Sequence, residues 1–120
     1  MGKKILVVDD SATVRQQVRM ALEQANFVVV EAVDGADGAE KIRSMKDIAA
    51  VICDVNMPKM NGLEMLEAVK PASMGLPVLM LTTEGQPAMM QRAKAAGAKG
   101  WVVKPFKANM LVAAIQKLAA

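Results

Sequence analysis

The sequence predicts an α/β domain: a five-stranded parallel sheet doubly wound, with helices on both faces. Two observations carry this expectation. Five short runs rich in Val, Ile and Leu alternate with five amphipathic stretches, and the runs lack the polar alternation of strands with one wet face. A third observation sets the scale. The 120 residues suffice for one domain with a single sizeable core, and no linker, repeat or low-complexity tract divides residues 1–120.

Taken in order, the strands are "KILVV" (4–8), "VVVEA" (28–32), "VIC" (51–53), "PVLML" (77–81) and "GWVV" (100–103). The first helix shows Val14, Val18, Ala21, Leu22 and Ala25 on one face. Ala36, Ala39 and Ile42 give a weaker second helix, and Leu63, Leu66 and Val69 a third, entered from the turn residues Pro58, Asn61 and Gly62. An Ala-rich fourth helix spans 87–96, starting at Pro87 and stopping at Gly97. Leu111, Ala114, Ile115 and Leu118 mark the fifth.

Composition excludes several functions. Net charge is +3, but Lys and Arg are dispersed and only three aromatic residues are present, which argues against nucleic acid. The opening "MGKKILVVDD" has too short an apolar run for a signal peptide or membrane span, so a cytoplasmic protein is expected. A monomer is expected as well. Cys53 is the only cysteine and reads as a small buried hydrophobe; no disulfide or cysteine zinc site can form within the chain. The absence of His removes imidazole metal sites and His-activated nucleophiles. What remains is chemistry by carboxylates, hydroxyls, lysines and a hard cation.

Ligands of such sheets sit beyond the carboxyl ends of the strands. Those ends carry Asp9 and Asp10, Asp54, Thr82 and Thr83, and Lys104, after strands one, three, four and five. A strand order of 2-1-3-4-5 would bring them into one pocket, whereas Asp9 and Asp10 alone would be read as capping acids for the helix after Ser11. Like charges ~5 Å apart at an effective dielectric of ~20 repel by roughly 3 kcal/mol, so three bare carboxylates call for a divalent cation. An all-oxygen ligand set favours Mg²⁺. With the cation in place, Asp54 is the best-placed nucleophile toward a phosphoryl group, with Lys104 on its oxygens and Thr82 donating a hydrogen bond.

The segments "VVDDS" (7–11), "DVNMPKMNGLEML" (54–66), "LTTEG" (81–85) and "GWVVKPF" (100–106) resemble, in order and over essentially the whole chain, the receiver domain of two-component response regulators. More narrowly, they resemble the single-domain chemotaxis receivers. The resemblance implies a flavodoxin-like (βα)5 fold of strand order 2-1-3-4-5. It implies Asp54 as phosphoacceptor, Asp10 as a direct Mg²⁺ ligand, Asp9 as a ligand acting mostly through water, and Asn56 lending its backbone carbonyl. Lys104 would pair with Asp54 and then with the phosphoryl group, across a cis bond to Pro105. Thr82 would be the hydroxyl that moves toward that group, and Trp101 an aromatic switch behind it, although a lone Trp beside Val102 and Val103 also reads as packing. Thr83 is expected at the cofactor-binding edge, and Asn56, Thr83 and Glu84 occupy positions that tune access of water. Met89 and Met90 read equally as core filler or as a partner surface with Trp101 and Lys107.

The resemblance implies a switch phosphorylated by a CheA-like histidine kinase, with output by protein binding to a flagellar motor switch protein through helix four, strand five and helix five. A phosphate sink and another motility target stand as alternatives, and no output domain is expected after Leu118. An aspartyl-nucleophile phosphatase is the enzyme alternative, but that class wants a second Asp two positions after its nucleophile. Asp54 is followed by Val55 and Asn56, and Asp9 by Asp10 and Ser11. A flavin binder would place phosphate against Asp9 and Asp10, which would repel it. The expectation is therefore a regulator that catalyses only its own phosphoryl transfer and slow autodephosphorylation.

Overall fold

The computed structural model describes residues 2–55, 62–70, 75–82 and 87–119. Five strands alternate with five helices: β1 (Lys4–Val8), α1 (Ala12–Gln24), β2 (Val28–Ala32), α2 (Gly35–Ser44), β3 (Ile48–Asp54), α3 (Gly62–Val69), β4 (Val78–Thr82), α4 (Pro87–Ala95), β5 (Gly100–Val103) and α5 (Ala108–Leu118). All pairings are parallel and the order is β2-β1-β3-β4-β5, as expected.

Strand periodicity divides the core in two, because successive side chains leave a strand on opposite faces. Ile5 and Val7, with Ile52, Leu79 and Leu81, pack against Val18 and Leu22 of α1 and Leu111 and Ile115 of α5. Leu6 and Val8, with Val51, Cys53, Val78 and Met80, pack against Ile42 of α2, Leu63 and Leu66 of α3, and Ala93 of α4. Burial of side chains of this size, at ~1.5–3 kcal/mol each, is what holds both helical layers to the sheet.

Three details differ from the sequence reading. β3 begins at Ile48 rather than Val51, because Ile48 pairs with Lys4 and Ala50 with Ile5 across an irregularity in register. The small Ala49 and Ala50 gave no strand signal of their own. The outer strands are not covered on both faces: Val28 is exposed on β2, and β5 is only partly buried and ends in exposed Val103. Each has a sheet neighbour on one side alone. In α2, Ala36 faces solvent, and Gly35 and Gly38 join Ala39 and Ile42 on the buried face. Among the described residues no helix is long and apolar enough to cross a membrane.

Candidate functional site

The register assembles the site stepwise. Val8 of β1 pairs with Cys53 of β3, so the next residues, Asp9 and Asp54, emerge from adjacent strands. Asp54 pairs with Leu81 of β4 and Thr82 with Val103 of β5, which places Thr82 and Lys104 one step further along the same edge. Asp9, Asp54 and Thr82 are the buried polar residues at the carboxyl end of the sheet, while Asp10 is exposed.

Asp9 is fixed from several directions. Its N–H donates to the Ala32 carbonyl at 3.1 Å, and its Oδ1 accepts from the Ser11 N–H at 2.9 Å. Ser11 is the N-cap of α1, its Oγ accepting from the Val14 N–H at 3.3 Å, as a short hydroxyl side chain does for the free amides of a first turn. The start of α1 is therefore tied to the acidic pair.

Lys104 bridges two of the carboxylates. Its Nζ lies 3.0 Å from Asp9 Oδ2 and 3.3 Å from Asp54 Oδ2, with its side chain 15% exposed. Burial acts to lower its pKa, but the hydrogen bond to Asp9 and the charges of Asp54 and Asp9 outweigh it and hold the ammonium above the ordinary lysine value. The Asp54 contact is the one expected; the shorter contact to Asp9 was not. The Lys104 N–H donates to the Thr82 carbonyl at 2.6 Å, and the Lys104–Pro105 bond is cis, as the resemblance implied.

Carboxylate oxygens of Asp9, Asp10 and Asp54 all lie within 4.8 Å of one another. Lys104 supplies one positive charge against three acids, so the group retains an excess of negative charge. Converging hard oxygen donors with uncompensated charge fit Mg²⁺. Asn56, Thr83 and Glu84 lie outside the described residues, as does the side chain of Met89.

Behind Asp54 the backbone is closely backed by α3. A Cβ on Gly62 would stand 2.3 Å from the Asp54 carbonyl oxygen and 3.0 Å from both Cys53 Sγ and Met80 Cε. Gly62 was read from the sequence as a turn residue; its tighter role is to let α3 start against β3 at Asp54. Cys53 is fully buried, as its reading as a small buried hydrophobe expected, and burial followed by the charges of Asp54 and Asp9 pushes its thiol pKa far up.

Trp101 lies on β5 beside Met80, partly buried against the α2–α4 side of the core. Its Nε1 is buried and has no hydrogen-bond partner among the described residues. Trp101 also lines a surface groove of about 350 Å³ with Met90, Lys94 and Lys99. Met90 is therefore a surface residue rather than core filler; Lys107 is exposed but does not line that groove.

Comparison with known proteins decides the family. Residues 5–116 match the response regulator receiver domain. The chain belongs to the response regulator receiver family. This receiver is 35% identical over 121 residues to the chemotaxis protein CheY of Thermotoga maritima, covering 99% of each, and 39% identical over 111 residues to CheY1 of Helicobacter pylori, covering 90% of each. The fold matches the structure of Vibrio cholerae chemotaxis protein CheY4 with a TM-score of 0.90 at 41% identity, over 98% of this receiver and 99% of that chain. A CheY-like receiver domain protein from Methanospirillum hungatei gives 0.92 at 25% identity, over 99% and 94%.

The sequence reading missed two contributors to the site, Arg15 and Glu31. Arg15 donates from its guanidinium to the Asp9 carbonyl at 2.6 Å and to Glu31 at 3.0 Å. The available signal was Glu31 itself, a charge set within the otherwise apolar run of β2.

Proposed function

We propose that this receiver is a phosphorylation-activated signalling switch in which Asp54 accepts the phosphoryl group. One observation carries the reading: a partly buried lysine joins Asp9 to Asp54 within a trio of converging carboxylates at the carboxyl edge of the sheet. Asp9, Asp10 and Asp54 would hold Mg²⁺ together with the Asn56 carbonyl. When bound, the cation offsets the charge of the trio and of the phosphoryl oxygens.

Asp54 attacks phosphorus in line through a carboxylate oxygen, and the phosphorus–nitrogen bond of a phosphohistidine donor breaks, its electron pair remaining on the imidazole. The donor is a CheA-like sensor histidine kinase. Lys104, kept charged by its neighbours, passes from the carboxylates to a phosphoryl oxygen, and the Thr82 hydroxyl donates to another. The resemblance assigns Thr83 to binding at the same site. Movement of Thr82 lets Trp101 pack inward, and α4, β5 and α5 change as a unit between two pre-existing states. Asn56, Thr83 and Glu84 set how fast water reaches the acyl phosphate. That hydrolysis times the signal, so the receiver is a regulator rather than an enzyme with an external substrate.

Output is protein binding in the cytoplasm, through α4, β5 and α5, to a flagellar motor switch protein. The chemotaxis names of the relatives support that choice of pathway. The test is transfer from a phosphorylated histidine kinase to wild type and to Asp54→Ala, followed by capture of partners with Mg²⁺ and beryllofluoride. Transfer to wild type alone, with activation-dependent capture of a motor switch protein, supports the reading. Equal transfer to both proteins overturns the nucleophile, and capture of a kinase or phosphotransfer protein alone makes the receiver a phosphate sink.

A further inference from the structure

Asp10 is the exposed member of the carboxylate trio, yet its oxygen is held within 4.8 Å of two other acids that repel it. Something must aim it. The peptide plane before Asp10 contains the Asp9 carbonyl, which accepts from the Arg15 guanidinium at 2.6 Å. The plane after Asp10 contains the Ser11 N–H, which donates to Asp9 Oδ1 at 2.9 Å. Asp10 therefore lies between two pinned planes, which fix the direction in which its Cα–Cβ bond leaves the backbone.

Arg15 is in turn fixed. Its Nε donates to Glu31 Oε1 at 3.0 Å, and its side chain is only 13% exposed. Glu31 also accepts from Arg19 Nε at 2.9 Å, one turn further along α1. Arg19 completes the pair with a bond to the Val29 carbonyl, so edge strand β2, helix α1 and the acidic turn form one network. Of these two arginines, Arg15 is the one that touches the acidic turn. A planar fork suits this geometry, because two separate acceptors are met by one rigid group.

We propose that Arg15 is a positioning residue for metal binding, holding the Asp9–Asp10 peptide so that Asp10 points into the carboxylate site. This rests on the reading of the trio as a Mg²⁺ site. Its consequence has a diagnostic sign. If Arg15 acted only as a nearby positive charge, its removal would strengthen attraction for a cation. As a positioning residue, its removal weakens binding, on the scale of about tenfold or more typical when partners of metal ligands are lost.

The experiment is titration of the intact protein with Mg²⁺ alone by isothermal calorimetry, for wild type, Arg15→Gln, Arg15→Lys and Arg19→Gln, with urea denaturation of each. The expected result is about tenfold weaker binding for Arg15→Gln, a smaller loss of about threefold for Arg15→Lys, and wild-type affinity for Arg19→Gln, which removes the same charge from the same glutamate. Unchanged or tighter binding by Arg15→Gln overturns the proposal, as does equal weakening by Arg19→Gln, which would mark a general loss of structure. Should Arg15→Gln fail to fold, Arg15→Lys carries the test: it keeps the charge but cannot reach both acceptors, and wild-type affinity there refutes the role. Failure of wild type itself to bind Mg²⁺ would instead refute the metal site.

Discussion

Replacing Asp10 by Asn should have opposite effects on stability with and without Mg²⁺. The carboxylates lie within 4.8 Å of one another, and at that distance a like-charge pair costs about 3.5 kcal/mol at an effective dielectric of 20 and about 0.9 kcal/mol in water. Asp10 is exposed, so the aqueous end applies, and Lys104 already offsets part of the charge on Asp9 and Asp54. Removing the Asp10 charge should then stabilise the metal-free protein by about 1 kcal/mol, a rise in Tm of about 3–5 °C for a domain of this size. With Mg²⁺ at a hundred times its dissociation constant, wild type gains about 2.7 kcal/mol while a variant with a crippled site gains little. Thermal melts of both proteins, in chelator and in saturating Mg²⁺, should therefore cross. A variant less stable than wild type in chelator, or equally responsive to Mg²⁺, would refute the argument that repulsion among these acids is what the cation relieves.

Three further outcomes follow from the same geometry. Lys104 has a raised pKa in the folded protein, so its contribution to stability is complete below the ordinary lysine value of 10.5 and is lost as pH rises through the folded value. Denaturation midpoints of wild type should fall in that alkaline range more steeply than those of Lys104→Met. Asp37, lowered chiefly by its hydrogen bond to Lys41, behaves oppositely: its contribution is present above about 3.8 and fades as pH falls through its folded value, and Asp37→Asn should flatten that acid limb. Gly62→Ala forces a methyl against the Asp54 carbonyl and should cost about 1–3 kcal/mol in urea denaturation, with slower phosphorylation because the shift falls on the backbone of Asp54, the proposed phosphoacceptor.

Much of this was legible in the sequence because apolar periodicity reports burial directly. The runs at 4–8 and 28–32 have the observed bounds, and the expected faces of α1, α3 and α5 supply Leu22, Leu66 and Ile115 to the core. The convergence of Asp9, Asp54, Thr82 and Lys104 was legible for a different reason: each is the polar residue that ends, or directly follows, an apolar strand of a parallel sheet. The early start of β3 was not, since Ala49 and Ala50 have weak strand preference and are held there by pairing with β1. Nor was the Arg15 clamp. Its partners, Glu31 and the Asp9 carbonyl, are set by how α1 crosses β2, and a backbone acceptor leaves no mark in a sequence.

The most direct measurement is to locate the modified residue. The receiver is incubated with acetyl phosphate and Mg²⁺, the acyl phosphate is trapped by borohydride reduction to the homoserine derivative, and peptides are sequenced by mass spectrometry. The account predicts a single trapped site, at position 54, dependent on Mg²⁺ and missing from Asp54→Ala. Trapping at Asp9 or Asp10, or undiminished labelling of Asp54→Ala, would contradict it.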